Sequence, residues 1–149
     1  MVGLYWEDWE IGKEYVSASR TITEADIVHF AGISGDYNPL HIDEEYCKKT
    51  IFGTRIAHGP LVYSIAAGLL FQLHLYDDTL IAFLGFDSLK FTKHVIAGDT
   101  ITAKISVLEK RETSKTDRGV MKRSLKVYNQ NNEMVQDAVQ AFLLKRKPQ

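Results

Sequence analysis

Asp36-Tyr37-Asn38-Pro39-Leu40-His41 places a carboxylate and an imidazole five residues apart on a segment stiffened by proline. Such a pair can take a proton from water and return one to a neighbouring carbon. Pro39 fixes its own φ and biases Asn38 toward extended geometry, so the segment loses less entropy when it holds one shape. Asn38 is expected to support the turn by bonding backbone with its side chain, leaving Asp36 and His41 to converge on a water or a substrate. The spacing alone also suits an ordinary structural loop, and it gains meaning only beside a second element. That element is His58-Gly59-Pro60, directly ahead of an apolar run. The first N–H groups of a helix have no intrahelical partner and carry the positive end of the helix dipole. Gly59 admits close approach to the backbone and Pro60 lacks a donor, so the Gly59 N–H is the expected member of an oxyanion site. An acid/base segment ahead of an exposed helix N-terminus suits chemistry beside a carbonyl.

The elements that must hold these groups can be read from pattern. Tyr15 to Thr21 reads as a strand, and Thr23-Glu24-Ala25-Asp26 as a capping-box start of a helix to about Gly32, with an apolar stripe of Ala25, Val28, Phe30 and Ala31. Ser34 to Pro39 is dense in turn formers and reads as a loop, and Asp43 to Lys49 as a short helix capped by Asp43. From Pro60, a good first helical residue, the sequence to Leu75 has the length of a helix of about 24 Å. It is apolar on nearly all sides, so other protein must wrap it. Leu80 to Phe91, Thr100 to Arg111, Val120 to Asn129 and Met134 to Leu144 read as the strands that do so, with turn signals at Gly98-Asp99 and Asn129 to Asn132. Ile101, Ala103, Ile105 and Val107 alternate with polar neighbours at the period of a half-buried strand. The last segment also fits a helix. Lack of a cap and the preceding turn favour a strand. The expected class is α+β, a long apolar helix on an antiparallel sheet drawn mostly from the C-terminal half.

With 149 residues, 45% hydrophobic and 25% charged, and no repeat or linker, residues 1–149 read as one globular domain large enough to bury a core without disulfides. A net charge of −1 gives no global field for nucleic acid or an anionic membrane. The charge is uneven, with 5 basic against 10 acidic residues in 1–74 and 13 against 9 in 75–149. That surplus suits a solvated strand surface or, less simply, a phosphate-bearing ligand. Residues 56–76 lack Asp, Glu, Lys and Arg, but His58, Gly59, Pro60, Ser64, Gln72 and His74 interrupt the run, so a membrane span is rejected. Cys47 is the single cysteine and the acidic, aromatic start does not look like an export signal, which points to the cytoplasm. No spacing among the five histidines repeats a zinc or iron pattern, so no metal is expected. His29 and His74 fall in helical stretches and read as structural, and His94 as a surface residue.

Residues Ser34 to Asp43, followed by Ile56-Ala57-His58-Gly59, resemble the motif of MaoC-like dehydratases, the (R)-specific enoyl-CoA hydratase family. Tyr5 to Gly12 and Phe91 to Thr100 are similar to that family too, so the likeness runs over nearly the whole chain. Pro60 and Cys47 depart from it, standing where another apolar residue and alanine are frequent. The resemblance implies a hotdog fold, a central helix wrapped by a curved antiparallel sheet. It implies a homodimer or higher homo-oligomer with acyl-CoA near the subunit interface, in fatty-acid metabolism. It implies that Asp36 and His41 hold and activate a water that adds across a trans-2-enoyl thioester, or leaves in the reverse dehydration. Gly59 would then bind the thioester oxygen and Asn38 support the loop. Coenzyme A would be part of the substrate and no separate cofactor is implied. Rival readings are a hotdog acyl-CoA thioesterase, against which the Asp36 to His41 motif argues, and a non-catalytic acyl-CoA-binding subunit, which need not retain both groups.

Overall fold

Side chains that alternate between buried and half-buried along residues 100–107 anchor a sheet with one face on the core. The computed structural model describes residues 2–148. After a single 3₁₀ turn at Trp6–Asp8, the chain forms β1 (Glu14–Thr21), α1 (Glu24–Ser34), α2 (Pro39–Ile42), α3 (Glu44–Cys47), α4 (Gly59–Phe71), β2 (Leu80–Phe91), β3 (Thr100–Glu112), β4 (Arg118–Tyr128) and β5 (Met134–Lys145). The strands form one sheet in the order β1-β3-β4-β5-β2, antiparallel throughout. Four of its five strands come from the C-terminal half, and the ambiguous last segment is a strand paired along most of its length with both β4 and β2.

α4 lies against this sheet, burying Leu61, Val62, Ala66, Leu69 and Leu70 among Ile101, Ala103, Ile105, Leu125 and Phe142. It is shorter than the pattern suggested, ending at Phe71, and Pro60 is its second residue rather than its first. Nor is it wrapped on all sides: Ser64, Gly68 and Phe71 stay exposed within the chain. β2 also exposes apolar side chains. It is an edge strand, and Ile81, Phe83, Leu84 and Phe86 are all exposed. His74 lies past the end of α4, in the left-handed region (φ 58°), where its Nδ1 meets Asp77 at 2.8 Å.

In α1 the Thr23 hydroxyl accepts from the Asp26 N–H at 3.1 Å while the Asp26 carboxylate accepts from the Thr23 N–H at 2.8 Å, the reciprocal cap expected. Its buried residues are Ile27 and Ala31, with Phe30 half-buried. Ala25 and Val28, placed by pattern on the inner stripe, face solvent, because the helix rests on the side that carries Ile27 and Ala31 and ends two residues later, at Ser34. The charge asymmetry is largely spent within the fold: Lys104 pairs with Glu14 at 2.9 Å, Arg146 with Glu7 at 2.7 Å and Lys147 with Asp8 at 2.5 Å.

One buried charge stands apart. Arg123 on β4 is 1% exposed and its partners are neutral, Gln140 Oε1 at 2.9 Å and the Tyr76 hydroxyl, with its guanidinium 4.4 Å from the Phe142 ring centre. Burial holds this guanidinium below its ordinary range, and the Tyr76 hydroxyl opposes the shift. Gln140 Nε2 in turn reaches the Tyr63 hydroxyl of α4 at 3.0 Å, so the network ties helix to sheet. Removing one member strands the others. Arg123→Ala is expected to lower the unfolding free energy by about 2–4 kcal/mol, read from urea denaturation midpoints.

Candidate active site

Gly35 closes α1 in the left-handed region (φ 74°), its N–H on the Ala31 carbonyl at 2.9 Å, and turns the chain toward Asp36. Asn38 then does two things. Its N–H donates to Asp36 Oδ1 at 3.2 Å, orienting the carboxylate, and its side-chain oxygen accepts from the Leu40 N–H at 3.0 Å, capping α2. His41 therefore stands on a single helical turn begun by Pro39, not on the open loop the turn formers suggested. From below, the Cys47 thiol of α3 lies 3.4 Å from the carbonyls of Pro39 and Leu40. Asp43 caps α3, its Oδ1 accepting from the Tyr46 N–H at 2.9 Å.

The second strand of the site runs through residues 56–59. The Ile56 N–H donates to the Leu40 carbonyl at 3.0 Å and the Ala57 N–H to the Val95 carbonyl at 2.7 Å. The Ile56 carbonyl accepts from His41 Nδ1 at 2.7 Å, and because a carbonyl only accepts, the His41 proton lies on Nδ1. Nε2 faces Asp36 Oδ2, 3.7 Å away. That gap is too long for a direct hydrogen bond and suits a shared water or reacting group. His41 is 9% exposed, whereas the Asp36 side chain is half exposed.

His58, the residue before α4, joins this cluster. It is 1% exposed, donates from Nε2 to the Asp36 carbonyl at 3.0 Å, and stacks on the His41 ring with centres 3.6 Å apart and planes at 24°. Gly59 begins α4, so its N–H has no intrahelical acceptor. The close approach that requires glycine there comes from the chain itself: a Cβ on Gly59 would lie 2.6 Å from the Phe91 ring. The Gly59 carbonyl accepts from Gln136 Nε2 at 2.7 Å.

His41, Ile56, Gly59, Val62, Phe91 and Gln136 line a cavity of about 570 Å³, the size of a small-molecule site. Asp36 is not among its lining residues and meets it through His41. The structure thus brings Asp36, Asn38, His41 and the start of α4 to one place, while His29 is exposed on α1 and His74 lies at the far end of α4. His94, expected only at the surface, is exposed and also lines the cavity, its ring edge-on to Phe52. His58 and Phe91 stand in the quoted motifs without a role of their own, and Gln136 was not singled out. The signals available were the adjacency of His58 to Gly59 and two glutamines, 136 and 140, at inward positions of the last strand.

Donor atoms of Asp36, His41 and His58 lie within 4.8 Å of one another, which raises the question of a metal ion. An ion about 2.0–2.1 Å from an imidazole nitrogen lies in the plane of that ring. Planes stacked at 3.6 Å and tilted by 24° do not meet near the rings, so these two imidazoles cannot share one ion as placed. Acid/base work fits the cluster better than ligation.

A family model for the MaoC like domain matches residues 8–129. Protein MaoC of Klebsiella aerogenes is 39% identical over 114 residues, which are 76% of this chain and 33% of that protein, so the chain spans about a third of its length. The (R)-specific enoyl-CoA hydratase of Rhodospirillum rubrum is 40% identical over 103 residues, 69% of each chain. Among solved structures, the monoamine oxidase regulatory protein from Archaeoglobus fulgius superposes with a TM-score of 0.93 at 40% identity, over 99% of this chain and 98% of that one. A Mycobacterium tuberculosis protein described as a double hotdog fold superposes with a TM-score of 0.86 at 22% identity, over 98% of this chain and 45% of its own, which shows the hotdog architecture. Because the matched segment contains Asp36, Asn38, His41, His58 and Gly59 together, the chain belongs to the MaoC-like dehydratase family.

Proposed function

We propose that the protein adds water to trans-2-enoyl-CoA to give (R)-3-hydroxyacyl-CoA, and catalyses the reverse dehydration, with Asp36 and His41 as the catalytic pair. The observation that carries this reading is the 3.7 Å gap between Asp36 Oδ2 and His41 Nε2, beside a cavity lined by His41 and Gly59. A water in the gap bonds both groups. Asp36 takes one of its protons as the oxygen bonds to C3, and the electron pair of the C2–C3 double bond moves onto the thioester oxygen. There the Gly59 N–H, at the positive end of α4, stabilises the developing charge. The proton is then delivered to C2 on the same face, with His41 Nε2 as the relay. Water ends as hydroxyl on C3 and hydrogen on C2, and neither residue is changed. No cofactor beyond the coenzyme A of the substrate takes part.

Residues 1–149 act in this reading as one cytoplasmic unit, and no helix among the described residues is long and apolar enough to cross a membrane. A homodimer completes it. Edge strand β2 exposes Ile81, Phe83, Leu84 and Phe86, and α4 exposes Phe71, apolar side chains that a second copy would bury. Light scattering should give twice the 16.9 kDa chain mass, and Phe83→Glu with Phe86→Glu should return it to the single mass. A wild-type monomer at micromolar concentration would remove the dimer from the proposal.

The direct assay follows loss of the conjugated enoyl-thioester absorbance of crotonyl-CoA, with a thiol reagent reporting free coenzyme A. Loss of absorbance without thiol release is expected, whereas thiol release would mark hydrolysis. Asp36→Asn and His41→Ala should each lower turnover by roughly 10²-fold or more with the fold retained by circular dichroism. Near-normal turnover in both would overturn the assignment. Gly59→Ala keeps the N–H but drives a methyl into Phe91. Turnover should drop about tenfold or more from misplacement, and Phe91→Ala in the same chain should restore part of it.

A further inference from the structure

Of the buried polar groups, His58 is the one whose surroundings least explain its chemistry as packing. Its ring is 1% exposed, touches Phe30 at 4.9 Å between centres, and leaves Nδ1 without a hydrogen-bond partner among the described residues. A buried nitrogen without a partner is unfavourable, and an apolar side chain would fill this space without that cost. What histidine provides here is a donor and a flat face at once. The donor, Nε2–H, holds the Asp36 carbonyl, 22 residues earlier in the chain. The face lies on His41. The peptide that follows carries the Gly59 N–H.

We infer that His58 is a positioning residue, a single ring that sets the Asp36–His41 gap and ties it to the oxyanion donor. The inference rests on the hydratase reading for its kinetic consequence, but the positioning itself is a property of the free protein. His41 is held in its ring plane by the Ile56 carbonyl, which leaves rotation about that bond and tilt of the ring unopposed. The stacked face of His58 stops the tilt. Asp36 has a half-exposed side chain, oriented locally by the Asn38 N–H, and its main chain is anchored from outside the loop by His58. Loss of the donor frees one partner and loss of the ring frees the other.

Two variants separate these parts. His58→Phe keeps an aromatic face and lacks the donor, while His58→Gln keeps a donor and lacks the face. Each should lower kcat for crotonyl-CoA hydration about 10- to 100-fold while KM moves less than about threefold, since misplacement by an ångström acts on the reacting geometry. Because the His58 donor acts through Asp36, adding His58→Phe to Asp36→Asn should cost no more than about threefold further, the non-additivity of groups that work as a unit. A kcat retained within threefold in His58→Phe overturns the inference, as do losses that multiply in the double variant. A second measurement needs no activity: the ring signals of His41 in NMR spectra should shift in His58→Gln and keep their stacked position in His58→Phe. Unmoved His41 signals in His58→Gln contradict positioning. Absence of hydration by the wild-type protein would instead remove the functional reading and leave this spectral result to decide the role of His58.

Discussion

The hydrogen bond from His41 Nδ1 to the Ile56 carbonyl, at 2.7 Å, is the constraint on which the site depends. It makes Nδ1 the donor and turns Nε2 toward Asp36. It also joins two stretches of chain that are separate in sequence. The Ile56 N–H returns a bond to the Leu40 carbonyl, so α2 and residues 56–59 hold each other as two strands of a ladder would. His58 and Gly59 follow on the same stretch, which brings the start of α4 to the cavity that His41 also lines. Below it Arg55 bridges Glu24 and Glu44, linking α1, α3 and this segment from the solvent side.

The sheet serves this arrangement indirectly. Its concave face carries α4, and α4 begins where its N-terminus enters the cavity wall. Most of the inner face is aliphatic, as packing requires, yet β5 presents Gln136 and Gln140 inward. Each glutamine bonds α4, at the Gly59 carbonyl and at the Tyr63 hydroxyl, one helical turn apart. A helix held only by aliphatic contacts can slide along a sheet at small cost. Two directional bonds at a four-residue interval fix its rise and rotation, and so fix where its first N–H points.

Much of this was legible in the residues. Alternation along 100–107, the turn formers at Gly98-Asp99 and 129–132, and the capping pairs at Thr23 and Asp43 located β1 to β5, α1 and α3 to within a few residues. The Asp36 to His41 segment was legible because short-range chemistry, proline and an amide cap, shapes it, whereas Gly59 reaches it through the His41–Ile56 and His58–Asp36 bonds. Other features depend on contacts distant in sequence and left no local trace. α2 is a single turn whose stability comes from Asn38 and from Cys47 beneath it, too short for a periodic pattern. Arg123 reads as a surface cation on a strand until the Tyr76 and Gln140 side chains close around it. α4 reads as buried all round because its composition describes both the face on its own sheet and the face left exposed at Ser64, Gly68 and Phe71.

The most direct measurement is a structure of the protein with (R)-3-hydroxybutyryl-CoA bound. The thioester oxygen is expected about 2.7–3.2 Å from the Gly59 nitrogen, with the 3-hydroxyl in the gap between Asp36 Oδ2 and His41 Nε2 and the acyl chain passing Val62. An acyl group seated with its hydroxyl beyond about 4 Å from both side chains, or with its thioester oxygen turned from the start of α4, would contradict the assignment of these three groups to one reaction.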